Sequence, residues 1–152
     1  MSDGLSASMD TSKIFARLNR LEKKVQHAVI PAAQAGAQVF YDETRARVPV
    51  SDFAHYFYGQ YSKRTGQRYY FEPGNLRNSI YQYRLRYTDD GGRATYAIAW
   101  NHRTAPYGYM VENGTSNAPA HPFLRPAYHA AKGRAQQATS AVLKAAAKEA
   151  LA

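Results

Sequence analysis

Apolar or small residues recur through residues 11–47 in alternating steps of four and three: Ile14, Leu18, Leu21, Val25, Ala28, Ala32, Ala35 and Val39. That spacing draws one narrow stripe down a helix. Asp10, Thr11 and Ser12 are suitable caps. Val48-Pro49 supplies a stop, because the residue before a proline avoids helical geometry. A helix of this extent is roughly 55 Å long, whereas a compact chain of this size has a radius of gyration near ~15 Å. The pattern therefore predicts either a kink at Pro31 into two arms, or a first half that projects and packs on another subunit. The stripe turns alanine-rich in its second half, which suits close approach of another element.

Residues 79–87 alternate instead, with Tyr81, Tyr83, Leu85 and Tyr87 on one face and Gln82, Arg84 and Arg86 on the other. This is the period of a half-buried strand. Asp89-Asp90-Gly91-Gly92 reads as a turn, and Ala94, Tyr96, Ile98 and Trp100 as a second strand, giving a hairpin. The tyrosine face is expected in the core and the arginine face at solvent or an interface. Residues 51–73 hold eight aromatics with no clear period and are expected as an insert loop. That loop either contacts a partner or folds back over the core.

Pro119, Pro122 and Pro126 forbid continuous helix or central strand around Phe123 and Leu124, which nevertheless need burial. This stiff, apolar-tipped segment must dock on its own domain or on a neighbouring copy. Pro126 suits the first residue of a helix, and an alanine-rich run follows to residue 150. The expected fold is α+β: a long N-terminal helix, kinked near Pro31, and an Ala-rich C-terminal helix packed on a small antiparallel sheet. It would form one domain over residues 11–152 after a disordered leader at 1–10.

At 152 residues the chain is long enough to bury a core without staples, and it has no cysteine, which removes disulfides, thiolate metal sites and cysteine nucleophiles. No apolar run approaches a membrane span. The net charge is +9, concentrated in residues 91–152 with seven bases and two acids. That charge suits nucleic acid or an acidic protein surface, or is simply a solvated basic face. His27, His55, His102, His121 and His129 show no metal-ligand spacing. No phosphate loop or nucleophile elbow appears, so no catalytic residue, metal or cofactor is expected. Glu112 ahead of Asn113-Gly114 reads as an acid that pairs with an arginine or caps a turn.

Four segments in order resemble the phage head-tail connection family named for gene product ten of a lambdoid coliphage. They are the helix ending at Val48-Pro49-Val50, and Gly74-Asn75-Leu76-Arg77-Asn78-Ser79-Ile80, similar to the family's Gly-x-Leu-Arg-x-Ser-Ile. Tyr109-Met110-Val111-Glu112-Asn113-Gly114-Thr115 and Pro122-Phe123-Leu124-Arg125-Pro126-Ala127 complete the set. The chain departs from the family where Pro73 replaces a threonine and where residues 51–73 are inserted. The resemblance implies a non-enzymatic virion protein, assembled in the host cytoplasm. It implies a homo-oligomeric, hexameric ring at the neck, touching portal-side connector proteins, tail tube or terminator proteins, and DNA in the channel. The alternatives are a tail terminator ring and, from another class, a nucleic-acid-binding protein; an enzyme such as a nuclease is a distant third. Candidate interface positions are Phe123, Leu124, Arg125, Tyr109 and Glu112, then Phe53, Tyr56, Phe57 and Tyr58, and Arg84 and Arg86.

Overall fold

The computed structural model describes residues 10–58, 62–86 and 92–152. The expected leader, apart from Asp10, and most of the turn at 89–92 lie outside these residues. α1 (Ser12–Arg47) is a single helix of 36 residues. The Asp10 carboxylate accepts the N–H of Ser12 at 2.9 Å. The Val48 N–H closes the last turn on Thr44. Pro31 does not end the helix. It lies on the exposed side, where water can take the carbonyl that proline leaves free.

α5 (Leu124–Leu151) runs antiparallel along α1. Lys24 pairs with Glu149, and the Phe40 ring stacks on Tyr128 at 5.4 Å. Arg134 and Arg47 both donate to the Glu43 carboxylate. The buried α1 positions along the seam are small: Ala28, Ala32, Gly36 and Ala37, and α5 answers with Ala127, Ala131 and Ala135. A Cβ built on Gly36 would meet Thr139 Oγ1 at 2.4 Å. The two backbones therefore approach more closely than larger side chains allow, which is how the alanine-rich half of the stripe is used.

Between the two helices the chain builds two small sheets. β1 (His55–Phe57) pairs antiparallel with β2 (Tyr69–Phe71), and α2 (Ser62–Thr65) lies between them. α3 (Asn75–Asn78) leads into β3 (Ile80–Arg84), which pairs with β4 (Tyr96–Trp100). α4 (Gly108–Asn113) precedes the return to α5. A core of Val48, Leu76, Ile80, Ala105 and Phe123 sits where the end of α1, the second sheet and the start of α5 meet. The architecture is α+β with a long N-terminal helix, as the sequence implies. The expected loop at 51–73 is instead built around a two-stranded hairpin.

The β3 alternation is present, but its sense is the reverse of the expectation. Tyr81 and Tyr83 are 44% and 42% exposed, while Ile80 is buried and Gln82 and Arg84 are half-buried. Gln82 Nε2 donates to Gln38 Oε1 on α1 at 2.6 Å. The register explains this. Arg84, Gln82 and Ile80 lie opposite Tyr96, Ile98 and Trp100, and cross-strand partners share a face. The large apolar residues of β4 belong inward, so the even-numbered residues of β3 go with them. The tyrosines lie beside Ala97 and Ala99 on the outer face.

Replacing Gly36 with leucine should force the helices apart, costing about 1–3 kcal/mol and lowering the melting temperature by roughly 5 °C. A calorimetric scan checks this. Hydrogen bonds from Arg134 and then Arg47 hold the Glu43 carboxyl below its ordinary range. Its contribution is therefore present above the ordinary glutamate value and is lost as pH falls through the lowered one. Stability measured against pH should show an acid limb that Glu43→Gln flattens.

Candidate subunit interface

The proline-rich segment is tied to its own chain. Gly114 ends α4 at φ +76, and a Cβ there would meet the Ala120 nitrogen at 2.8 Å. The chain then doubles back through a bridge between Thr115 and Ala118. The His121 N–H donates to the Val111 carbonyl at 2.8 Å. This delivers Phe123 to the Glu112 carboxylate. Glu112 Oε2 accepts the N–H of Phe123 at 2.7 Å and of Leu124 at 3.0 Å, while Oε1 accepts that of Arg125 at 3.4 Å.

A helix begins with four N–H groups that have no partner in the helix. Here one carboxylate takes three of them, and Pro126 has no N–H to satisfy. The carboxylate also lies at the positive end of the α5 dipole, which favours its charge although Glu112 is buried. Glu112 is thus a capping acid, but it caps the following helix and not the turn after its own. Arg125 turns back to donate to Asn113 Oδ1 at 3.2 Å.

Phe123 is fully buried, with the Trp100 ring edge-on at 6.0 Å. This corrects its assignment to an interface tip: the side chain belongs to the monomer core, and Leu124 is half-buried beside it. Gly108 gives the Trp100 indole its place, since a Cβ there would meet Trp100 Nε1 at 2.3 Å. Tyr109 and Arg86 are exposed. Arg84 faces α1 with Gln82, so it does not lie on an outer polar face.

The aromatic hairpin has two unlike faces. Phe57 and Phe71 pack toward Tyr107, at 6.4 and 4.9 Å between ring centroids. Tyr56 and Tyr70 meet across the strands on the other face, at 5.4 Å, and Phe53, Tyr56, Tyr58 and Tyr70 are exposed. The hairpin roofs a groove of about 490 Å³ whose lining includes Val50, Phe57, Phe71, Leu76 and Val111, together with Glu72. A second concavity of about 530 Å³ lies along α1 and α5 and carries Lys132 and Lys144.

The inward turn of β3 was not among the sequence-derived expectations, and Ile14, Phe15 and Leu18, exposed at the start of α1, were not among the named interface positions, although a projecting first half of the helix was one of the two expected outcomes. A signal existed for the second: the stripe changes from large to small side chains along its length. Among the described residues no group of three or more His, Asp or Glu side chains could hold a metal ion. Among the same residues no helix is long and apolar enough to cross a membrane.

Glu112→Ala should strand three N–H groups and destabilise the chain by about 3 kcal/mol, visible as a lowered denaturant midpoint. Glu112→Gln keeps an acceptor and should cost less, about 1–2 kcal/mol.

No curated protein and no solved structure matches the chain. A family model does match, over residues 12–114, described as "Bacteriophage HK97-gp10, putative tail-component". The matched span runs from the first residue of α1 through the Gly114 turn, and so includes both small sheets and Glu112. By this match the chain belongs to the HK97-gp10-like family of bacteriophage tail components.

Proposed function

We propose that the chain is a structural protein of the virion, several copies of which form a ring at the head-tail neck, completing the tail and joining it to the portal connector. The observation that carries this reading is the amount of large apolar surface a single copy leaves uncovered. Phe53, Tyr56, Tyr58 and Tyr70 on the hairpin, Tyr81 and Tyr83 on the sheet, and Ile14, Phe15 and Leu18 on α1 are all exposed. Uncovered patches of this kind mark association surfaces, and aromatic residues are enriched in them. Patches at different places on one chain suit a head-to-tail contact, which closes into a ring when the rotation allows. The positive charge, repeated in every copy, suits acidic neighbouring rings or DNA in the channel.

The family membership supports the tail-component role, and the neck position is part of the proposal. A terminator ring capping the tube would present the same surfaces, and the adjacent protein that co-purifies with the chain separates the two. Purified protein should sediment as a closed oligomer, and particle imaging should place it at the neck. A monomer at high concentration with no copies at the neck would overturn the proposal. Tight binding to generic duplex by a monomer, falling steeply with salt, would favour the nucleic-acid reading instead.

A further inference from the structure

The stripe that α5 covers on α1 does not stop where α5 stops. Lys24 pairs with Glu149 near the end of α5, and the helix continues toward Ser12 for about another 18 Å. Along that extension Ile14, Phe15 and Leu18 are 48%, 61% and 53% exposed. The buried positions from Ala28 to Ala37 are alanine or glycine, while the exposed ones on the extension are large. Side chains of this size would prevent the close approach made farther along, so they suit a different, roomier partner. Ile14, Leu18 and Leu21 fall at i, i+4 and i+7, the anchor spacing of a helix that lies in a groove. Lys13, Arg17 and Arg20 follow the same spacing on one flank.

Of the two large concavities, the one along α1 and α5 presents Lys132 and Lys144 and no acid, which repels a basic helix. The groove under the aromatic hairpin presents Glu72 and neither lysine nor arginine. Its walls are mainly apolar, with Ser51, His55, Asn75 and His121 among them, and its volume lies in the range that holds a drug-sized ligand, about 300–1,000 Å³. The apolar face of one helical turn fits such a space. An arm cannot reach the groove of its own chain. The groove begins at Pro49, just past the end of α1, and Ile14 lies about 50 Å away along the helix. Arm-to-arm pairing would instead set Lys13, Arg17 and Arg20 near their own copies.

We infer that the N-terminal turns of α1 dock, through Ile14 and Leu18, in the hairpin-roofed groove of a second copy, with Arg17 against Glu72. The inference rests on the ring reading and names the contact that would propagate it. Each copy offers an arm at one end and a groove at the other, so the contact is head-to-tail.

The absence of native cysteine makes a clean test. Full-length Leu18→Cys and Val50→Cys chains, mixed and oxidised, should give a disulfide-linked dimer that neither chain gives alone. Leu18→Cys mixed with Ala33→Cys, in the lysine-lined concavity, should give none. The Ile14→Asp, Leu18→Asp double variant should keep its melting temperature and self-associate about thirtyfold more weakly. Glu72→Arg should weaken association, and Arg17→Glu should restore it in that background. If unmodified chains form oligomers but the Leu18–Val50 cross-link does not appear, or if Leu18→Cys links to itself or to Ala33→Cys, the arm-groove contact is wrong and the ring stands. If unmodified chains remain monomeric at high concentration, both fall.

Discussion

The fold turns on one carboxylate. Glu112 stands at the end of α4 and takes the first N–H groups of α5, so two elements separated by a proline-rich return are joined at one buried point. That contact fixes Phe123 against Trp100 and closes the core over Leu76 and Ile80. It also sets where α5 begins, and with it which residues of α5 oppose Ala28, Ala32 and Gly36. A buried charge of this kind is tolerable because hydrogen bonds and a helix dipole replace the water it gives up.

The seam and the outer surfaces follow opposite rules of size. Where α1 meets α5 the side chains shrink until Gly36 lies against Thr139 and Ala135. Dispersion then acts between backbones held close. At the uncovered end of α1 and on the aromatic hairpin the side chains are large, which suits contacts with partners that are not already in register. The same helix serves both purposes, and only the size of the residues on its stripe distinguishes them.

Much of this was legible in sequence because it is periodic. The steps of four and three along α1, the alanine-rich run of α5 and the alternation in β3 and β4 each carry their period in consecutive residues. The sense of β3 was harder, since alternation gives two faces without saying which is inward. Tyr81 and Tyr83 are larger and more aromatic than Gln82 and Arg84, and composition pointed to the wrong face. The register with Tyr96, Ile98 and Trp100 decides it, and register is a relation between segments. The role of Glu112 was only half legible. A capping acid was readable beside Asn113-Gly114, but its partners lie 11 to 13 residues on, reached only because Gly114 turns the chain. The hairpin in residues 51–73 went unseen because three-residue strands are too short to show a period.

Pro31 lies inside the part of α1 that α5 covers, flanked by the buried Ala28 and Ala32. It removes one rung from the helical ladder on the solvent side, in a rod that is otherwise continuously bonded. α5 splints that gap, so α1 bends most freely beyond Lys24, where the splint ends. In an assembly joined through the arm, the angle between successive copies would be set where that splint ends, and with it the number of copies that close a circle.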